Sequence, residues 1–182
     1  MSSNTEIETH TKTITLKTAD RKLFTLAESV AMEFKIVKSF FDDNPDASSD
    51  AVVPLPNVNL GELAKISFCC EAQLNFRSRG ESAKDESKAQ QRKFLKQQTN
   101  EELKSLILAA NFLEIEDFLD VVNQEAADRI KNKSVEYVRR FFGIENDYTP
   151  EEEAKVRAEN AWAFEGVDPD SDVEPDEDVM MN

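Results

Sequence analysis

Histidine occurs once in this 182-residue chain, at His10, and cysteine twice, at the neighbouring positions Cys69 and Cys70. That histidine lies in an N-terminal segment expected to be disordered, which leaves none for a catalytic triad, a zinc site or a proton relay. Adjacent cysteines inside an apolar run give no ordinary disulfide framework, so a reducing compartment is expected. Apolar neighbours also raise a thiol's pKa, which makes core packing the expected role for at least one of the pair rather than nucleophilic chemistry. Only four glycines are present, and no Gly-rich phosphate loop can be drawn from them. No apolar run approaches the roughly 20 residues that cross a bilayer. The start Met1-Ser2-Ser3-Asn4-Thr5-Glu6 lacks the basic and then apolar pattern of a secretory leader. The expectation is a chain that is not an enzyme, holds no cofactor or metal, avoids membranes, and resides in nucleus and cytoplasm.

What is abundant is acid. The formal net charge is −15, which argues against sequence-independent binding to nucleic acid, because phosphate recognition needs a clustered Lys/Arg surface. Eight acids and no base lie in residues 165–182, so their removal from −15 leaves −7 on the body. Apolar residues make up 40% of the chain, enough for the core of one ordinary domain or two small lobes. Partners are expected to be proteins.

Thr13-Ile14-Thr15-Leu16-Lys17 and Lys22-Leu23-Phe24-Thr25-Leu26 alternate polar and apolar residues around a turn at Ala19-Asp20, which predicts a β-hairpin. From about Glu28 to Phe41, Val30, Met32, Phe34, Ile36, Val37, Phe40 and Phe41 are read as one helix, stopped by Asp42-Asp43-Asn44-Pro45. Prolines at 54 and 56 confine Val52–Pro56 to a short or edge strand. Asn59 and Glu62 have capping-box spacing before a stripe of Leu63, Ile66, Ser67, Cys70 and Leu74.

Residues 77–93 contain no Val, Ile, Leu, Phe, Tyr or Trp and hold six bases against three acids, which predicts a flexible linker. Helices follow. Thr99 with Glu102 caps a stripe of Leu103, Leu106, Ile107 and Ala110, and Leu119, Val122, Ala126 and Ile130 repeat the spacing. A shorter helix from Ser134 to Phe142 ends at Gly143. Thr149-Pro150-Glu151-Glu152 combines a hydroxyl N-cap, proline at the first helical position and glutamate at the third.

Val138, Phe141, Phe142, Ile144, Tyr148, Val156 and Trp162 form a dense apolar set that short helices have difficulty burying internally. Such a set fits a helix-in-groove partner contact anchored by aromatics, although the same side chains could pack on one another.

The stretches Val53-Pro54-Leu55-Pro56-Asn57-Val58, Leu106-Ile107-Leu108-Ala109-Ala110-Asn111-Phe112-Leu113 and Thr149-Pro150-Glu151-Glu152-Glu153, in that order, resemble the S-phase-kinase-associated adaptor family of SCF ubiquitin ligases. The ending Val156-Arg157-Ala158-Glu159-Asn160-Ala161-Trp162-Ala163-Phe164-Glu165 resembles its plant branch. The resemblance covers about residues 13 to 165. It implies an α/β fold: a BTB/POZ-type lobe over 13–132, with the linker inside it, then C-terminal helices over 133–165 that form the F-box-binding region. Segments 1–12 and 166–182 are expected to be disordered. The implied partners are a cullin N-terminal domain, F-box proteins and, indirectly through the cullin, a RING subunit. Carried over by position, Ile36, Phe40, Asn111 and Phe112 would face the cullin. The F-box side would draw on Leu119, Val122, Ile130, Val138, Phe141, Phe142, Ile144, Tyr148, Val156 and Trp162. Several positions depart from the family pattern. The usual Trp-Asp pair near the linker's end is replaced by Ala89-Gln90-Gln91-Arg92-Lys93-Phe94, the linker is basic rather than acidic, and the usual Tyr of the Ala-Ala-Asn motif is Phe112. The usual Lys-Gly-Lys turn reads Lys131-Asn132-Lys133, and Asn tolerates the left-handed region better than most residues.

Two other readings compete. Glu151-Glu152-Glu153 could be acid/base carboxylates, but acids in a first helical turn are expected from capping and the macrodipole. Asp168-Pro169-Asp170-Ser171-Asp172 resembles the start of a calcium loop but lacks the glycine at the sixth position and the glutamate at the twelfth. The alternative function is an acidic chaperone that binds histones or other basic proteins through the C-terminal tail.

Overall fold

The computed structural model describes residues 12–48, 51–80 and 83–167. The expected disorder at either end, His10 and the calcium-like run from Asp168 all fall wholly or mainly outside these residues. The chain divides into two compact units, Met1–Asn123 and Gln124–Asn182.

In the first unit, β1 (Thr13–Thr18) and β2 (Leu23–Ala27) form the expected hairpin, with Leu16 opposite Phe24 and Ile14 opposite Leu26. β3 (Val52–Leu55) adds parallel to β1, Leu16 opposite Val53, giving the order β2-β1-β3. β3 is therefore an edge strand, the position where Pro54 removes no shared ladder donor. The side chains of Ile14, Leu16, Val53 and Leu55 share the buried face.

Where one helix was expected between Glu28 and Phe41, two are found, α1 (Glu28–Ala31) and α2 (Lys35–Asp43). Val30, Met32, Phe34 and Ile36 alternate with a period of two, which one helical stripe cannot accommodate. The chain instead breaks at Phe34, whose backbone is extended (φ −85°, ψ 107°) and whose ring is wholly buried.

α3 (Leu60–Arg77) buries the expected Leu63, Ile66, Ser67 and Cys70, together with Cys69. The expected Asn59 capping box is absent: Asn59 occupies the N-cap position, but its side chain accepts no bond. Asp20 of the hairpin turn takes over, its Oδ1 accepting the Leu60 N–H at 3.2 Å.

The linker expected over 77–93 is largely helical. α4 (Ala83–Leu95) packs on α3 and buries Ser87, Gln91 and Leu95. Its composition hides it, because two of these three inward positions are polar. α5 (Asn100–Leu113) begins with the expected Thr99/Glu102 capping box. α6 (Glu116–Ile130) starts in the first unit and ends in the second. Leu16, Phe34, Leu55, Leu63, Ile66, Leu103, Leu106, Leu113 and Phe118 have no appreciable exposure. Each contributes about 1.5–3 kcal/mol relative to exposure, before conformational entropy is set against it.

The second unit contains α7 (Val135–Phe142), α8 (Pro150–Glu159) and a 3₁₀ turn (Ala161–Phe164). Asn132 is left-handed (φ 58°), as Asn allows, and Ser134 Oγ accepts the Tyr137 N–H to cap α7. Gly143 closes α7 at φ 66°. The Thr149/Glu152 box starts α8, with Pro150 at its head.

Candidate partner-binding surfaces

In the first unit, Ile36 and Phe40 stand four apart on α2, both half-buried, and α2 packs on α5. Asn111 is exposed and Phe112 half-buried in the last turn of α5. That turn is closed by Glu114 in the left-handed region (φ 54°, ψ 48°), whose N–H reaches the Ala110 and Asn111 carbonyls. Lys35 of α2 pairs with Glu116 of α6, and this bond raises the Lys35 pKa.

Leu108 was not singled out from sequence, yet it is 71% exposed, one turn before Asn111 and Phe112 on the same side of α5. The sequence signal was slight: Leu108 falls outside the buried stripe of Leu103, Leu106 and Ala110, but single exposed apolar residues are common, and only its place beside Asn111 and Phe112 sets it apart. Leu119 is half-buried, whereas Val122, expected to face a partner, is wholly buried. Its spacing marks the inward side of α6, which serves packing first.

In the second unit, the apolar set divides. Phe141 is buried and meets Phe142 edge-on, the ring centroids 4.9 Å apart; Val138 and Ile130 are half-buried. Phe142, Ile144, Tyr148, Val156 and Trp162 are left between 38% and 74% exposed. Mutual packing therefore accounts for Phe141 but not for the other five.

A charged clamp orders the chain that carries them. Glu153 of α8 accepts from Arg139 of α7 at 3.0 Å, from Asn146 of the loop at 3.0 Å and from Arg157 one turn on at 3.2 Å. Arg157 also pairs with Glu136 of α7 and lies over the Phe164 ring, 5.0 Å from its centroid. The Arg139, Asn146 and Arg157 bonds hold the Glu153 carboxyl below the usual carboxylate range. Glu152 is lowered by its capping bonds with Thr149. The carboxylates at the head of α8 thus serve capping and cross-helix pairing. Sequence reasoning identified the cap but not the clamp, whose partners lie up to 21 residues apart.

Cys69 and Cys70 are both buried in α3, and burial pushes each thiol up to about 12. Among the described residues, no group of three or more His, Cys, Asp or Glu is arranged to hold a metal, and no helix is long and apolar enough to cross a membrane.

Residues 12–73 match the Skp1 family, tetramerisation domain, and residues 116–163 match the Skp1 family, dimerisation domain. SKP1-like protein 20 of Oryza sativa subsp. japonica is 38% identical over 169 residues, covering 84% of this chain and 94% of that protein. SKP1-like protein 1A of Arabidopsis thaliana is 41% identical over 163 residues, covering 85% and 98%. SKP1-like protein 14 of Arabidopsis thaliana is 41% identical over 154 residues, covering 84% and 97%. The two matches take in the small sheet with its first helices and the C-terminal helices bearing the exposed apolar set, and on this cover and identity the chain belongs to the Skp1 family of SCF adaptors.

Proposed function

We propose that this chain is the adaptor subunit of an SCF-type ubiquitin ligase, bridging a cullin to F-box substrate receptors so that their targets are ubiquitinated and degraded. The observation that carries the reading is the row of five large apolar side chains, Phe142, Ile144, Tyr148, Val156 and Trp162, left exposed within the segment that matches the Skp1 family. Exposed aromatics on capped, cross-linked helices are poised to anchor a partner helix, since the ordering cost is partly met before binding. They form the F-box surface, to which the same unit adds the half-buried Ile130 and Val138.

Ile36, Phe40, Asn111 and Phe112 face the cullin N-terminal domain, and Leu108 joins them as an exposed apolar anchor. A RING subunit is reached only through the cullin. The adaptor performs no bond chemistry, binds neither nucleic acid nor membrane, and works in nucleus and cytoplasm. Its role is geometric: it joins two partners through distinct surfaces, and each contact is a separate free energy. The acidic-chaperone alternative gains no support from the family matches.

Calorimetric titration with an F-box domain and, separately, with a cullin N-terminal domain at moderate salt tests the reading. Tight binding to both is expected. F-box binding without cullin binding would remove the bridge, and binding to neither would overturn the adaptor function.

A further inference from the structure

α4 turns Ser87, Gln91 and Leu95, each four residues from the next, inward against α3, and all three are at most 5% exposed. Packing alone would place apolar side chains at every one of these positions, because an amide or hydroxyl taken out of water costs free energy unless it is hydrogen-bonded. Gln91 makes one such bond, from Nε2 to Gln73 Oε1, at the long limit of 3.4 Å. Among the described residues no hydrogen bond reaches Gln91 Oε1 or the Ser87 hydroxyl, and both atoms touch solvent through the opening beside them rather than being sealed in.

Both residues line a partly open cavity of about 310 Å³ between α3 and α4. Phe76 supplies an apolar wall. The charges at its mouth are largely paired already: Arg77 donates to Asp117 at 3.0 Å and to Glu33 at 2.8 Å, and Gln73 donates to Asp117 at 2.9 Å. Of the ionic lining groups, only Lys88 has no ion pair among the described residues. A cavity of this size, mostly apolar in its wall, with a few convergent polar groups, has the make-up of a small-molecule site.

We propose that this cavity binds a small uncharged organic molecule with an apolar ring or chain and a carboxamide- or hydroxyl-type head. The head exchanges hydrogen bonds with Gln91 Oε1 and Ser87 Oγ, and the body lies on Phe76. Arg77 and Asp117 already neutralise one another and offer nothing to an ionic ligand, which leaves Lys88 as the one lining charge without an ion pair among the described residues. The site shares no residue with the proposed cullin and F-box surfaces, so it stands independently of the adaptor reading.

Benzamide titrated into ¹⁵N-labelled full-length protein is the test. Saturating shifts are expected in the Gln73 and Gln91 side-chain amide signals and the Ser87 backbone signal, with a Kd of about 1 mM or tighter, within reach of a ligand of this size. Ser87→Ala and Gln91→Leu should each weaken benzamide roughly fivefold or more, the value of one hydrogen bond. Gln91→Leu should also raise the melting temperature, as a buried amide is removed. Should Gln91→Leu repack the cavity, Ser87→Ala, a change of one atom, still decides the matter. Benzoate should bind at least as many fold more weakly than benzamide. Absent or non-saturating shifts, or undiminished binding by Ser87→Ala, would overturn the site. Benzoate binding as tightly as benzamide would overturn its neutral class and assign an anion site on Lys88.

Discussion

Asp20, in the turn between β1 and β2, accepts the Leu60 N–H at the head of α3 at 3.2 Å, across forty residues of chain. The same Oδ1 accepts the Thr18 hydroxyl at 2.6 Å, and that bond first, with the backbone bonds after it, lowers the Asp20 pKa. A carboxyl depressed in the fold stabilises it above the ordinary carboxylate pKa, and the contribution disappears as pH falls through the lower folded-state value. Asp20→Ala is therefore expected to lower the melting temperature at pH 7 and to narrow its gap from wild type in strong acid. Asp20→Asn, which keeps an acceptor, should lie between them. Thermal melts from pH 7 to pH 2 check this.

Phe142→Ala and Trp162→Ala should each weaken F-box binding at least about tenfold, the scale of aromatic anchors at interface centres. Trp162 is 74% exposed in the free chain, so its removal should barely move the melting temperature. Phe142, 45% exposed and packed edge-on against Phe141, should lower it modestly as that ring pair is lost. Calorimetry beside a thermal melt separates lost contact from lost fold.

Leu108→Glu should weaken binding of a cullin N-terminal domain roughly tenfold or more and leave F-box binding and the melting temperature unchanged, since Leu108 is 71% exposed. Unchanged cullin affinity would remove Leu108 from that surface.

Two helix ends offer opposite changes. Gly143 has φ 66°, with nothing within 4 Å of an added Cβ, so Gly143→Ala should cost about 1 kcal/mol from backbone strain alone. Glu114 adopts φ 54° with a side chain attached, and Glu114→Gly should stabilise by up to about 1 kcal/mol. Urea unfolding measures both.

With both thiols pushed up to about 12, only about one in 10⁴ is ionised at pH 8. Cys69 and Cys70 should resist a thiolate-selective disulfide reagent in the native protein and both react once urea unfolds it. Rapid native reaction would mean that α3 opens readily.

Features encoded within one turn were legible in sequence. The Thr99/Glu102 and Thr149/Glu152 boxes, the left-handed Asn132 and Gly143, and the alternating hairpin all appear as read, because each depends on residues at most a few positions apart. The motifs around Pro54, Asn111 and Pro150 likewise carried the family. Reading failed where distant groups decided. Nothing near Asn59 reveals that Asp20 caps its helix, and nothing in a polar stretch reveals that Ser87 and Gln91 face inward. Spacing placed Val122 and Phe142 on helix faces alike, but only packing buried the first and left the second 45% exposed. Local backbone preference and hydrophobic period belong to the sequence by itself; exposure, cross-chain capping and the Glu153 clamp depend on what folding brings alongside, and were decided by tertiary structure.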